Sequence, residues 1–378
     1  MKVGIITAWF ERGAANVSRS YMEGLQQLGH EVFIFARGGE EYSYAPEWKL
    51  PNVHYSKSTM GSCDRCKYTG ISDLDEFARW IDQHQIRVTF FNEQLDYVPV
   101  ELSRQKGVPA ILIAPGFVMP MEYYSHFDAI ACPTELMLDI FKDTGIAYLV
   151  RWGVDTNVFK PLGLNLTNDK CVFFHSAGMS FGNLRKGSDV LIKAWGRLTK
   201  HERGEAKLII HTQREPEVLY KQVPVAKAIV ERDGIELVVG TMAPPYGYHL
   251  GNVYVYPAMV DSIGLTMPES LACGMPMITT AAAPFDEFVK DCVNGLLVKA
   301  RKRSWSDTYG APDKMGCWTV NLEALADAIR VFINDREKIV QMGRASRKLA
   351  EERYDFMKNF REMDVLLNRV VERAGVPV

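Results

Sequence analysis

The chain has 378 residues, 47% hydrophobic and 24% charged, with a formal net charge of -2. At roughly 150 residues per domain that length allows two to three domains, and the composition excludes disordered, collagen-like and coiled-coil architectures. A near-neutral charge argues against a dedicated polyanion binder, and no run reaches the roughly 18 apolar residues of a membrane-spanning helix.

Apolar runs alternate with helical patterns from the first residues. The opening MKVGIITAWF lacks a basic region and a small-residue cleavage site, so residues 3–8 are expected to be a buried strand, not a signal peptide. Residues 16–27 carry Val17, Tyr21 and Leu25 near helical spacing, and after Gly29 and His30 the run EVFIFA (31–36) reads as a second strand. Such a βαβ opening points to a parallel, doubly wound sheet. Strands at 87–91, 110–114 and 129–132 and a helix over 74–83 continue it. The stretch 160–170 has the Leu, Asn, Gly and Pro content of a linker. A second series follows, with strands at 171–176, 207–212, 235–239, 253–256 and 277–280 and helices at 188–198, 217–232 and 268–273. This organisation is α/β, with domains at 1–160 and 170–350 and a last segment at 351–378. Residues 1–160 hold 15 Lys and Arg against 20 Asp and Glu, and the remainder 29 against 26. The second half is therefore the better host for an anion. The seven cysteines are odd in number and mostly lie in apolar runs, as reduced thiols of a cytoplasmic protein would.

The segment 261–276, DSIGLTMPESLACGMP, is the most informative. Pro268 at a first helical position would leave Asp261 and Gly264 in the preceding loop. The amides of Gly264, Leu265 and Thr266, beside a helix N-terminus, then form an anion site. Glu269 in the first turn suits the two hydroxyls of a sugar diol, or simply complements the helix dipole. A glycine-bearing loop at 178–187 ends in Arg185 and Lys186, a bidentate fork and a point charge for a diphosphate, or a solvated basic loop. Gly13, after the first strand, would let backbone approach a phosphate. Glu93 follows the strand 87–91 at a carboxyl end of the sheet, where ligands collect; it orients or deprotonates a hydroxyl, or is a capping carboxylate. Cys63 and Cys66 form a CxxC without a second pair nearby, so a mobile loop is favoured over zinc. Asp73 and Asp75 read as acids of a helix start. No metal site is expected. His175, at the end of a strand, could face a cleft, and Tyr246 or Tyr248 could stack on a base.

The block 261–276, with residues 284–287 and NGLLV at 294–298, resembles the donor-binding region of GT-B retaining glycosyltransferases of family 4. In that family two glutamates stand eight positions apart before an LACGxP run. Glu269, Gly264, Leu265 and LACGMP match; Asp261 replaces the first glutamate, and Ser262 and Ile263 replace Gly-Phe. WGVD at 152–155 through Phe159 and Pro161 resembles the end of the family's first domain, and residues 342–344 and 352–356 its closing helices, the last of which often crosses back to the first domain. Met179 stands where members carry Arg, and no His follows the strand 110–114.

The resemblance implies a GT-B fold, two Rossmann-like domains facing a central cleft and closing about 160–170. It implies transfer of a hexose-type sugar, with retention and without a metal, from a UDP- or GDP-linked nucleotide sugar to a hydroxyl acceptor. Arg185, Lys186 and the Gly264, Leu265 and Thr266 amides would stabilise the departing diphosphate. Glu269 would hold the ribose, Asp261 the donor sugar, Gly13 would approach the phosphate and Glu93 would face the acceptor. A glycan, lipid-linked sugar, protein or small metabolite all fit as acceptor, peripheral membrane contact is left open, and nucleic acid is disfavoured. A GT-B-like epimerase or phosphorylase, or a catalytically silent sugar-nucleotide-binding subunit, are the other readings.

Overall fold

The computed structural model describes residues 1–10, 13–37, 46–57, 71, 73–94, 96–114, 120–161, 170–182, 184–303 and 315–375. The chain divides into two compact units, Met1–Trp152 with Met357–Val378, and Gly153–Phe356.

In the first unit, seven strands form one sheet: β1 Lys2–Thr7, β2 Glu31–Ala36, β3 Val53–Tyr55, β4 Val88–Asn92, β5 Ala110–Ile113, β6 Ala129–Cys132 and β7 Ala147–Leu149. Their order is β3-β2-β1-β4-β5-β6-β7, and every pairing is parallel. β4, β5 and β6 are buried along their whole length, as continuous apolar runs in a parallel sheet should be. The strand order reverses between β1 and β4, which places the ligand-collecting crevice of this sheet type at their carboxyl ends. The helix Gly13–Gln27 follows β1 and buries Val17, Tyr21 and Leu25, the residues whose spacing marks its inner face.

The second unit repeats the plan with β8 Cys171–Gly178, β9 Ala206–Thr212, β10 Glu236–Val239, β11 Val253–Tyr256, β12 Met277–Thr280 and β13 Gly295–Val298. The order is β10-β9-β8-β11-β12-β13, again all parallel, with its reversal between β8 and β11. An antiparallel hairpin, β14 Ala300–Arg303 and β15 Cys317–Val320, follows.

The boundary falls at Trp152, earlier than the expected 160, because residues 153–159 are tied into the second unit. Val154 N–H donates to Tyr354 O at 2.8 Å, Phe356 N–H to Val154 O at 3.1 Å, and the Phe159 ring lies 6.1 Å from that of Tyr248. A Cβ on Gly153 would lie 2.6 Å from Phe356 Cα, so only glycine allows this crossing. The last helix, Phe356–Arg373, packs almost wholly in the first unit, with Phe360 against Tyr21 at 5.3 Å.

Candidate functional site

At the reversal point of the second sheet, the loops after β8 and β11 are held together by backbone. Met259 N–H donates to Arg185 O at 2.8 Å. Gly187 has a φ of +75°, and a Cβ there would meet Pro257 O at 2.1 Å. This close approach brings Arg185 to Asp261: Nη1 lies 2.8 Å from Oδ2 and also donates to Val260 O at 3.2 Å. Tyr256 OH donates to Asp261 Oδ2 at 2.6 Å, and Ser262 N–H to Oδ1 at 2.9 Å. Burial alone would raise the Asp261 carboxyl, but Arg185, the Tyr256 hydroxyl and Lys186 hold it below its ordinary value. Asp261 is therefore a fixed, ionised carboxylate.

Lys186 is placed differently. Its Nζ lies 5.9 Å from the Tyr256 ring centroid, and among the described residues it makes no hydrogen bond. Burial first, and Arg185 second, push its ammonium down to about 8. It adjoins Gly178, where a Cβ would lie 3.8 Å from Lys186 Nζ and 3.5 Å from Gln213 Oε1. So Arg185 is committed to Asp261, while Lys186 is a half-buried cation without a hydrogen-bonded partner among the described residues.

The second carboxylate lies in the helix Thr266–Ala272, which begins two residues before Pro268; Leu265 is its cap. Pro268 is thus the third helical residue, not the first. The position tolerates proline because the first four helical N–H groups have no intrahelical partner. Gly264 turns the chain with a φ of +62° and accepts from Met267 N–H at 2.7 Å. Glu269 in the first turn takes a hydrogen bond from Tyr248 OH at 2.6 Å. Burial pushes its carboxyl up to about 7, against the pull of that hydroxyl and of Lys186. Asp261, Lys186, Arg185 and Glu269, all singled out in the sequence, are thereby brought to one region. The sequence does not mark Tyr248 and Tyr256 as the residues that hold the two carboxylates. The signal that could have found Tyr256 is the VYVY strand, whose period of two puts Tyr254 and Tyr256 on one face.

Two expectations are corrected. Of the two tyrosines expected to stack on a base, Tyr248 is 2% exposed and cannot do so, whereas Tyr246 is half-buried. His175 is fully buried, with Nδ1 at 2.8 Å from Val255 O and Nε2 at 2.8 Å from Ser188 Oγ. It ties β8 to β11, and burial pushes it down to about 4.

In the first unit, Gly13 opens the helix after β1 and Glu93 follows β4, so both lie at that sheet's own reversal point. Asn92 Nδ2 donates to Ala14 O and Ser18 Oγ, each at 2.8 Å. Glu93 has a φ of +51°, and its carbonyl accepts from Arg37 Nη1 at 2.9 Å. Asp73 caps the helix Leu74–His84 by accepting from Glu76 N–H at 2.8 Å, and Asp75 lies in its first turn. Cys63 and Cys66 lie outside the described residues. Among the described residues no group of three or more His, Cys, Asp or Glu is arranged to hold a metal ion.

Two parallel, doubly wound sheets in one chain are also the build of GT-B glycosyltransferases. Anabaena HepE, solved in complex with UDP and glucose, matches over 98% of this chain and 100% of its own, with a TM-score of 0.72 at 15% identity. The chain has the GT-B fold. Residues 176–335 match the family of glycosyl transferases group 1, and the second unit therefore carries a group 1 glycosyltransferase domain. An uncharacterized glycosyltransferase of Haemophilus influenzae is 25% identical over 177 residues, 46% of this chain and 44% of that one. The D-inositol 3-phosphate glycosyltransferase of Xylanimonas cellulosilytica is 31% identical over 184 residues, 43% and 42% respectively. The matched region spans less than half the length of these two relatives.

Proposed function

We propose that the chain is a retaining glycosyltransferase of family 4. It moves a hexose-type sugar from a UDP- or GDP-linked donor to a hydroxyl acceptor and needs no metal. The observation that carries this reading is the group at the β8–β11 reversal: a fixed Arg185–Asp261 pair, an uncommitted Lys186 and a Tyr248-held Glu269. HepE was solved with UDP, which makes UDP the first donor nucleotide to try.

The chemistry follows from these groups. As the bond from the anomeric carbon to the diphosphate lengthens, negative charge grows on the leaving phosphate. A preorganised cation in a poorly solvated site stabilises it at that moment. Lys186 is that cation, and an anion beside it returns its proton affinity toward the ordinary lysine range. Arg185 adds positive charge while fixing Asp261, which accepts hydroxyls of the donor sugar. Glu269, once ionised, accepts both hydroxyls of the ribose. Gly264, Leu265 and Thr266 contribute the loop–helix junction beside the phosphates. Glu93 orients the acceptor hydroxyl, and the departing phosphate can itself take the acceptor proton on the front face.

A thermal-shift screen against UDP, GDP, ADP, CMP and their sugar conjugates, with and without EDTA, tests the donor site through linkage. The expected result is a rise in Tm with one diphosphate, unchanged by EDTA and lost in Glu269→Ala. A flat response to every nucleotide would overturn the assignment. The anomeric configuration of the first product, read by NMR, tests retention.

A further inference from the structure

The second unit also contains a cavity of about 750 Å3 to which nothing above gives a role. None of Arg185, Lys186, Asp261 and Glu269 lines it. Its walls come from the loop after β8, the helix Ser188–Trp195, the segment after β9, Met259 in the loop after β11, the β14–β15 hairpin and Leu322 just beyond it. Apolar side chains from each of these parts, among them Leu184, Val190, Val218 and Val320, line it together with three cations, Lys193, Arg214 and Arg303. Lys193 is already neutralised, its Nζ 2.9 Å from Asp189 Oδ2. Arg214 and Arg303 are exposed and make no side-chain hydrogen bond or ion pair among the described residues. Two further wall residues hold orphaned polar atoms. Asp189 is only 7% exposed, and its Oδ1, like Thr319 Oγ1, is buried without a hydrogen-bond partner among the described residues.

Each feature restricts the ligand. A cavity of this size is that of a small-molecule site, usually about 300–1,000 Å3, and a bare anion would leave most of it empty. Apolar walls call for an apolar body. Two unpaired guanidinium groups, with their planar forks, match the oxygens of a phosphate dianion. Buried polar atoms are rarely left unsatisfied, and a hydroxyl on the ligand body would supply the missing partner.

We propose that this cavity binds a phosphate monoester carrying an apolar body, with Arg214 and Arg303 holding the phosphate. The proposal does not rest on the donor reading above, although Met179, Gly182 and Leu184 of the 178–187 loop and Met259 also line this cavity.

Octyl phosphate, octanol and inorganic phosphate are titrated calorimetrically into the wild-type chain and into the Arg214→Ala/Arg303→Ala double variant. Both arginines are exposed, so the variant should melt as the wild type does, and the same preparations are tested for the Tm shift with UDP. Saturable binding of octyl phosphate is expected, at least tenfold weaker in the double variant. Octanol should not bind, inorganic phosphate should bind at least tenfold more weakly, and the UDP shift should be unchanged. Cosedimentation with phosphatidic-acid vesicles separates two sources of the same chemistry. Vesicle binding lost in the double variant identifies a lipid headgroup, whereas binding of octyl phosphate alone identifies a soluble ester. No saturable binding of octyl phosphate, equal affinity in the two proteins, or inorganic phosphate binding as tightly as octyl phosphate would each overturn the proposal.

Discussion

Glu269 is a carboxyl whose burial works against its ionisation. Because its value in the folded protein, about 7, lies above the ordinary 4.5, its contribution to stability is full below pH 4.5 and is lost as pH rises through 7. Glu269→Gln keeps the shape and an acceptor for Tyr248 while removing the charge. The variant should therefore melt above the wild type at pH 8, by a few degrees for about 1 kcal/mol, with the difference vanishing near pH 5; calorimetry from pH 5 to 8.5 checks this. The same change should weaken UDP binding about tenfold, a loss of about 1.4 kcal/mol. Lys186 sets the opposite limb, since its ammonium in the free site is lost above about 8. UDP affinity should accordingly rise as pH passes 7 and fall beyond 8. Lys186→Met should abolish the alkaline fall, and Tyr248→Phe, which removes a bond that favours the carboxylate, should move the acid limb upward. Titrations of UDP across pH 6–9.5 read both limbs, and an affinity indifferent to pH would contradict these roles.

At the scale of elements, the site depends on how closely two loops approach. Gly187→Ala places a Cβ 2.1 Å from Pro257 O at a left-handed φ, so the 178–187 loop must move away from the loop after β11. Backbone strain of this kind costs about 1–3 kcal/mol, and the separation of Arg185 from Asp261 should also abolish the UDP-induced rise in Tm. A variant that melts lower yet keeps the full UDP response would show that the loop contact is structural only. The strands feeding these loops were legible in the sequence, because CVFFHS and VYVY are runs that only a doubly covered sheet can bury. The acid pair and the Arg-Lys pair were legible because residue type and spacing carry chemistry. The tyrosine–carboxylate bonds were not, since they join Tyr248 to Glu269 and Tyr256 to Asp261 through folded loops that no local periodicity encodes. Pro268 misplaced the helix start because proline suits any position in a first turn, not the first alone. The hairpin escaped because Ala300–Arg303 is Ala-Arg-Lys-Arg, with no apolar alternation to mark a strand, and β3 and β7 because three residues are too few to show one.

For the whole molecule, the decisive fact is connectivity. The second unit is one continuous segment, Gly153–Phe356, whereas the first needs both Met1–Trp152 and Met357–Val378. The last helix buries Phe360, Met363, Leu366, Leu367, Val370 and Val371. It also reaches the rest of its unit through Asn359 Nδ2 to Trp152 O at 3.3 Å, Asp364 Oδ1 to His30 Nε2 at 2.9 Å and Arg373 Nη1 to Tyr148 OH at 3.0 Å. Losing a single buried Leu or Phe side chain costs about 2–5 kcal/mol, and a whole domain is stable by only about 5–15 kcal/mol. A chain ended after Phe356 should therefore lose the first unit's cooperative transition while the second unit stays folded. Limited proteolysis should reduce that chain to a fragment close to 153–356, and UDP should still raise the fragment's Tm, because Arg185, Lys186, Asp261 and Glu269 all lie within it. Transfer to an acceptor should be lost, since Glu93 belongs to the unit that has unfolded. In the intact chain UDP should raise the second unit's transition and leave the first where it was. If the shortened chain instead melted in one step and lost its UDP response together with the first unit, the two units would fold as one, and the donor groups would not be self-sufficient.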